Sequence, residues 1–314
     1  MPANHFYRAN GKVLLSGEYL VMDGALALGL PLSMGQALKV KESTGSEIIW
    51  ESFLPSGEIW FSGKFDLFSF DPIKTSNEAT AETLKTLFEA AVRLNSDFLS
   101  KWKKYSVSTF LDFEPDWGLG SSSTLISCLA DWADVDSFDL LQSTMGGSGY
   151  DVACAKAEGP IFYRLGDKEI EVNPAEFLPS FRKNLYFVYL GQKQFSADAI
   201  KKYKDRVVKS SQIEEVSAIS RELCEVNSLQ NFESLLKDHE MLVSEVINLP
   251  RIRDTKFEDF WGEVKSLGAW GGDFIMITSE RSLIETKAYF ESKGYPIFFT
   301  YDEIALQQSV ETSS

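Results

Sequence analysis

The segment Pro115-Asp-Trp-Gly-Leu-Gly-Ser-Ser-Ser-Thr124 constrains the fold more than any other part of this chain. It follows an alternating polar and apolar run at 105–113, which predicts a half-buried strand. It leads into 125–132, whose apolar spacing predicts a buried helix. A strand, a Gly/Ser loop and a helix start place free backbone N–H groups at the positive end of a helix dipole. This order predicts a loop that binds phosphate.

The residue types of this Gly/Ser loop (115–124) support an anion site. Gly118 and Gly120 let the backbone approach a phosphate closely, and three serines, Ser121 to Ser123, offer hydroxyls to phosphate or Mg²⁺. The same letters also suit an ordinary Ser-rich N-cap that binds no ligand. The Walker loop, the dinucleotide fingerprint and the protein-kinase motifs all fail to match this sequence. We therefore predict a phosphate loop of another kind.

Three further segments resemble the motifs of one family, the GHMP kinases, which include galactokinase, homoserine kinase, mevalonate kinase and phosphomevalonate kinase. The family's first motif is resembled by the segment Arg8-Ala-Asn-Gly-Lys-Val-Leu-Leu-Ser-Gly-Glu-Tyr-Leu-Val-Met-Asp-Gly24 near the start of this chain. The Gly/Ser loop resembles the second motif, which binds ATP phosphates, and 267–275 resembles the Gly-rich third motif. Gly147-Ser-Gly-Tyr-Asp-Val-Ala153 is similar to the catalytic-aspartate segment. All four occur in family order, so the resemblance covers nearly the whole chain.

Some positions depart from the family pattern. Asn10 replaces the usual proline of the first motif, and Trp117 lies inside a second motif that is one residue shorter than usual. Ser123 and Thr124 stand where small alanines are common. Trp270 interrupts the Gly run of the third motif. These departures bear on the selectivity for the nucleotide base more than on phosphate binding.

The resemblance implies an α+β, two-lobed GHMP kinase fold, with an N-terminal lobe like ribosomal protein S5 domain 2 and a ferredoxin-like C-terminal lobe. It implies an N-terminal ATP-binding domain over 1–165 and a C-terminal domain over 166–314. The residue pattern agrees with a mixed fold. Strands predominate before a helix that is predicted to begin after Asn77, and a helical pattern runs from Asp198 to Leu267.

The catalytic roles come from the resemblance. Asp151 matches the family's catalytic aspartate, so it is predicted to act as the general base or to orient the nucleophile. Lys12 matches the lysine of the first motif, which would pair with Asp151 and stabilise charge on the transferred group. The alternatives are a structural Asx-turn for Asp151 and a snorkelling surface lysine for Lys12.

ATP and Mg²⁺ are the cofactors that the resemblance implies. Ser122 is the predicted hydroxyl ligand of Mg²⁺, and Asp139, out of register by about one residue, is the candidate acidic ligand. The residues predicted to bind the nucleotide phosphates are Gly118, Gly120, Ser121, Ser122 and Ser123.

The predicted partner is a small anionic acceptor. The segment 147–153 and Asp273 look most like phosphomevalonate kinases, so phosphomevalonate, in isoprenoid precursor synthesis, is the first expectation. Mevalonate kinase, diphosphomevalonate decarboxylase and a catalytically silent nucleotide sensor stay open as alternatives. Glu18 is expected to support its loop rather than to react. The residues predicted to lie near the acceptor are Arg8, Glu18, Ser148, Lys193, Gly271, Gly272 and Asp273.

The composition narrows the class of partner. The net charge is −15 and no basic cluster is interleaved with aromatics, which argues against binding to nucleic acid or to a membrane surface. The two histidines and three cysteines are scattered, which argues against a zinc site or a Ser–His–Asp triad. No targeting segment is visible, so a cytoplasmic location is expected. If the protein self-associates, we expect a homodimer.

Overall fold

The computed structural model describes residues 4–166, 169–191, 203, 206–268, 270 and 273–306. The chain forms two compact units that interleave along the sequence. Unit 1 comprises Met1–Gly11, Met34–Pro115 and Leu119–Lys156. Unit 2 comprises Lys12–Ser33, Asp116–Gly118 and Ala157–Ser314.

The strands of the described residues are β1 (Asn4–Ser16), β2 (Ala27–Ser43), β3 (Glu47–Phe53), β4 (Ile59–Asp66), β5 (Pro72–Thr75), β6 (Lys104–Leu111), β7 (Ile161–Leu165), β8 (Ile170–Pro174), β9 (Leu185–Tyr189), β10 (Val264–Leu267), β11 (Phe274–Thr278) and β12 (Phe298–Thr300). The helices are α1 (Glu78–Leu94), α2 (Ser121–Ala133), α3 (Ser137–Gln142), α4 (Tyr150–Lys156), α5 (Ser210–Glu225), α6 (Leu229–Ile247), α7 (Ile252–Lys256), α8 (Leu283–Ser292) and α9 (Tyr301–Ile304). None of these helices is long and apolar enough to cross a membrane.

Unit 1 contains a mixed sheet in the order β5-β4-β3-β6-β2. β3 and β6 run parallel, and the other neighbours run antiparallel. The alternating burial along β6 confirms the predicted half-buried strand. Helix α1 begins where expected, because the Asn77 side chain accepts a hydrogen bond from the Thr80 N–H at 3.0 Å. Its apolar stripe, which includes Phe88, packs in a core with Trp50 and Phe65.

Unit 2 contains an antiparallel sheet in the order β10-β11-β9-β12. β9 lies inside this sheet and every residue of it is buried, which is typical of a strand with a continuous apolar run. The first residues of β2, Ala27 to Gly29, pair with β7, and β7 pairs with β8. Helix α6 packs on α5 and on β10.

One element differs from the sequence prediction. The helical pattern predicted to run through Leu267 is wrong at its end, because Val264–Leu267 forms β10. Pairing with β11, where Val264 lies opposite Ile277, overrides the local preference of this short segment. The predicted domain boundary at 165/166 stays a prediction.

Candidate active site

The Gly/Ser loop turns through left-handed glycines into an uncapped helix. Gly118 has a φ of +72° and Gly120 a φ of +99°, values that side-chain-bearing residues rarely adopt. No side chain caps the first turn of α2. The Ser121 hydroxyl donates to the Pro115 carbonyl at 3.2 Å, and the Ser123 hydroxyl donates to the Gly120 carbonyl at 3.0 Å. The Ser-rich N-cap is therefore not formed, and the start of α2 offers its N–H groups to an anion.

The three serines have different surroundings. Ser122 is exposed, whereas Ser123 is buried and its hydroxyl proton is used within the loop. Thr124 is buried, and its hydroxyl donates a hydrogen bond to the Gln36 side-chain oxygen at 2.7 Å. This bond fixes the start of α2. Ser122 is therefore the serine of this loop whose hydroxyl is open to a metal ion or phosphate.

Asp151 lies in the first turn of α4, which packs on α2 within unit 1. The preceding turn contains Gly147 and Gly149 with φ of +112° and +88°, so glycine is required to bring the chain into the helix. Asp151 is half-buried and Ser148 is buried. Unit 1 thus brings together the helix that follows the Gly/Ser loop and the helix that carries the predicted catalytic aspartate.

Asp139 lies in the first turn of α3 and is exposed. The helix is capped by a different residue, Asp136, which accepts hydrogen bonds from the N–H groups of Phe138 and Asp139 at 2.8 and 3.1 Å. Within the described ranges no three His, Cys, Asp or Glu side chains converge as a metal site would require. A Mg²⁺ ion at Ser122 or Asp139 would depend on phosphate oxygens for most of its ligands.

Arg8 forms an exposed ion pair with Asp112 at 2.7 Å in unit 1. Asp112 also accepts a hydrogen bond from the N–H of Gly35, a residue of β2, at 2.9 Å. This bond holds the ion pair against β2. Surface pairs of this kind contribute little to stability. The Arg8 guanidinium would have to exchange Asp112 for an acceptor phosphate in order to bind one.

Lys12 lies on the buried second half of β1, where every residue from Gly11 to Ser16 is buried. Its side chain is only 9% exposed, so the alternative of a snorkelling surface lysine does not describe it. Lys12 belongs to unit 2 and Asp151 to unit 1. Their predicted pairing stays a prediction.

Glu18 is buried in a charged cluster of unit 2 that the sequence did not reveal. Its carboxylate forms an ion pair with Lys265, which is itself fully buried. The Lys265 ammonium lies 3.6 Å from Glu240 and donates to the Ser266 carbonyl at 2.9 Å. Burial raises the pKa of Glu18, and the charge of Lys265 opposes this rise. The predicted role of Glu18 in supporting its loop stays a prediction.

His239 completes the cluster as a neutral hydrogen-bond acceptor. Its Nε2 accepts from the Gly17 N–H at 3.0 Å and lies 3.2 Å from the Glu18 carboxylate. Burial, and then the charge of Lys265, lowers the pKa of His239 well below its usual value. Burial raises the pKa of Glu240 to about 8. The cluster thus places the Lys265 amino group against the Glu18 and Glu240 carboxyl groups, and burial favours the neutral form of Glu240.

Gly118 and Asp273 bring the second and third motifs into contact within unit 2. A Cβ atom on Gly118 would lie 2.2 Å from Asp273 Oδ2. Asp273 is buried, and its carbonyl accepts a hydrogen bond from the Leu190 N–H at 2.8 Å. The sequence assigned these two residues to phosphate and acceptor respectively, and the structure makes them neighbours.

Trp117, a departure from the family pattern, packs in an aromatic group on the sheet of unit 2. Its ring centroid lies 5.7 Å from that of Tyr189, 6.0 Å from that of Phe274 and 5.8 Å from that of Phe299. These rings come from β9, β11 and β12. Trp117 therefore fixes the entry of the Gly/Ser loop to that sheet. Three other predicted residues, Lys193, Gly271 and Gly272, lie outside the described residues.

Comparison with known proteins identifies the fold. No family model and no curated protein matches the sequence. Mevalonate kinase of Methanococcus jannaschii is structurally similar at 16% identity, with a TM-score of 0.72 over 97% of this chain and 99% of that protein. Phosphomevalonate kinase of Streptococcus pneumoniae, in complex with phosphomevalonate and AMPPNP, is similar at 15% identity, with a TM-score of 0.67 over 94% and 99%.

A kinase named for a sugar phosphate has the same TM-score as this phosphomevalonate kinase. D-glycero-D-manno-heptose 1-phosphate kinase of Bacteroides thetaiotaomicron has 15% identity and a TM-score of 0.67 over 96% of this chain and 97% of its own. Kinases for unlike acceptors thus match the whole chain about equally well. The chain has the α+β fold of the GHMP kinases.

Proposed function

We propose that this protein is an ATP-dependent small-molecule kinase that phosphorylates phosphomevalonate. The observation that carries the kinase proposal is the uncapped N-terminus of α2 after a loop with left-handed glycines, in a chain with the GHMP kinase fold. A helix start of this kind has N–H groups available for phosphate oxygens. The proposal includes a cytoplasmic location, where ATP is available as the phosphoryl donor.

The donor site in this proposal is the Gly/Ser loop. The N–H groups at the start of α2 would bind ATP phosphates, and the exposed Ser122 hydroxyl would ligate Mg²⁺ together with phosphate oxygens. Asp139, whose carboxylate is exposed, would be the acidic ligand of this Mg²⁺. Bound Mg²⁺ would supply neutralisation of charge on the transferred phosphoryl group. Ser123 would contribute its N–H group, because its hydroxyl proton is already used within the loop.

Asp151 and Lys12 have the catalytic roles in the proposal. Asp151 would orient the acceptor oxygen and take its proton where one is present. Lys12 would stabilise negative charge on the transferred group, and its burial would strengthen that interaction. An acceptor phosphate is largely ionised at neutral pH, so the demand for a base would be smaller with phosphomevalonate than with an alcohol.

The choice of phosphomevalonate rests on the segment 147–153 and on Asp273, which resemble phosphomevalonate kinases. A neighbour of the same fold was solved with phosphomevalonate and AMPPNP bound. A site built for a dianionic phosphate leaves cationic and N–H groups unpaired when that phosphate is missing. We therefore expect mevalonate to be at least about tenfold poorer in kcat/KM.

The test is a coupled assay of ADP release over a panel of acceptors: mevalonate, phosphomevalonate, diphosphomevalonate, homoserine, galactose and a heptose 1-phosphate. Phosphomevalonate should give the highest kcat/KM, and added salt should weaken its binding. Release of carbon dioxide from diphosphomevalonate would instead identify a decarboxylase. Preference for mevalonate or for a sugar would refute the acceptor assignment, and no acceptor-dependent ADP release would refute the kinase proposal.

A further inference from the structure

The turn that ends β1 has an unusual backbone. Gly17 has a φ of +93°, and the ideal Cβ of a larger residue there would lie 2.7 Å from the Ala27 Cβ. Tyr19 has a φ of +63° and a ψ of −54°, although it is a bulky aromatic residue. Such conformations persist only where surrounding contacts hold them, and they concentrate at functional sites.

The contacts that hold this turn come from three elements of unit 2. The Gly17 N–H donates to His239 on α6 at 3.0 Å. The Glu18 carboxylate pairs with Lys265 on β10. The Tyr19 hydroxyl accepts a hydrogen bond from the Trp270 N–H at 2.9 Å. The turn therefore contacts the chain both before and inside the third motif.

Trp270 lies in the third motif between the end of β10 and Asp273, and Asp273 is the residue of this motif that contacts Gly118. Its indole N–H donates to the Pro250 carbonyl at 2.9 Å, and its ring belongs to the buried apolar cluster against which Tyr19 packs. Burial raises the pKa of Tyr19, and the negative charges of Glu18 and Asp273 raise it further. The hydrogen bond from the Trp270 N–H lowers the same pKa.

We propose that Tyr19 is a positioning residue, whose hydroxyl fixes the main chain at Trp270 and thereby sets Asp273 against Gly118. This inference rests on the proposed kinase function for its effect on the acceptor, since Asp273 is assigned to acceptor binding there. The hydroxyl–amide hydrogen bond joins the first and third motifs, and Trp270 also shares a buried apolar cluster with Leu20 of the first motif. Removal of that hydroxyl leaves the Trp270 N–H without this acceptor and frees the main chain at Trp270 to shift.

The variant that tests the proposal is Tyr19→Phe, which removes the hydroxyl and keeps the ring. Tyr301→Phe is the matched control, because Tyr301 is also a buried tyrosine of unit 2 and its hydroxyl donates to the Phe177 carbonyl at 3.0 Å. We expect Tyr19→Phe to raise the KM for the acceptor about three- to tenfold, the usual effect of one buried hydrogen bond. The KM for ATP should change less than twofold, and Tyr301→Phe should leave both constants within twofold.

Amide hydrogen exchange gives a readout that does not depend on any acceptor. Peptides that contain Trp270 should exchange faster in Tyr19→Phe than in the wild type, and at the wild-type rate in Tyr301→Phe. Equal exchange in the two variants would overturn the positioning role, whatever the activity. Faster exchange with an unchanged KM for the acceptor would also overturn it, because the link would then be structural only. A wild type without acceptor-dependent activity would refute the kinase proposal alone, and the exchange comparison would then decide the positioning role.

Discussion

Asp273 lies against the α-carbon of Gly118, so close that a methyl group on Gly118 would overlap its carboxylate, at 2.2 Å from Oδ2. The two residues are far apart in sequence and belong to different motifs. Their contact explains why the second motif needs glycine at a position where the backbone also has a φ of +72°. It makes the conformation of the Gly/Ser loop depend on the position of a buried carboxylate in the third motif.

Gly118→Ala should destabilise the fold more than an alanine at a left-handed glycine in open space. Gly57 is the matched control, since its φ is +85° and a Cβ there would meet nothing within 4 Å. Gly57→Ala should cost about 1 kcal/mol from backbone strain. Gly118→Ala should cost about 1–3 kcal/mol more, because the whole Asp273 side chain must shift. Urea unfolding measures both, and equal losses would contradict the contact.

Asp151→Asn should retain the fold and ATP binding but lower kcat by roughly 10²–10⁴-fold, the usual range for a positioned acid or base. The lower end is expected if the nucleophile is an ionised phosphate. Thermal unfolding and nucleotide titration check the first two points, and steady-state kinetics checks the third. A variant with near-wild-type kcat would remove Asp151 from the mechanism.

Ser122→Ala should raise the Mg²⁺ concentration needed for half-maximal activity and lower kcat, because Ser122 would hold the Mg²⁺ that would neutralise charge on the transferred phosphoryl group. Ser56→Ala, at an exposed serine in the turn between β3 and β4, serves as the control. Activity is measured across a Mg²⁺ titration at fixed ATP. An unchanged Mg²⁺ dependence would mean that the loop binds phosphate through its backbone alone.

Glu240→Gln should change how stability depends on pH. Burial raises the pKa of Glu240 from 4.5 to about 8, so the folded state binds its proton more tightly than the unfolded state does. The wild type should therefore lose stability as the pH rises from 4.5 to about 8, and no further loss from this group should follow above that. Glutamine mimics the protonated form and should remove that part of the slope.

The control for this prediction is Glu245→Gln, an exposed glutamate on the same helix. Thermal unfolding of the three proteins is compared across that pH range. The advantage of Glu240→Gln over the wild type should grow with pH, whereas Glu245→Gln should follow the wild type. Parallel curves for all three would show that Glu240 does not titrate as its burial indicates.

The sequence predicted those elements whose signals are local. β6 forms over the alternating run that predicted it, and α1 begins after Asn77, whose side chain caps the helix. β10 escaped prediction because four residues carry too little pattern to compete with sheet pairing. The motifs were readable because short runs of glycine, serine and aspartate are specific in order and spacing.

The buried charged cluster around Lys265 could not be predicted from the sequence. Glu18, His239 and Lys265 are separated by long stretches of chain, and each looks like an ordinary charged or polar residue in its own segment. Only the fold brings them together. The position of Trp117 on the sheet of unit 2 was equally hidden, because nothing in its own segment specifies which aromatic residues it meets.

The interleaving of the two units has a consequence for synthesis on the ribosome. Unit 2 draws its first part from Lys12–Ser33, whose contacts include the hydrogen bond from the Leu26 N–H to Ser217 and the bridge between Leu32 and Ala305. These partners emerge from the ribosome long after the residues that need them. The early apolar segment must therefore wait, exposed, until almost the whole chain has been translated. Truncation at any single point between the halves would leave unit 2 without this part of its core, so we expect neither half to fold as an independent fragment.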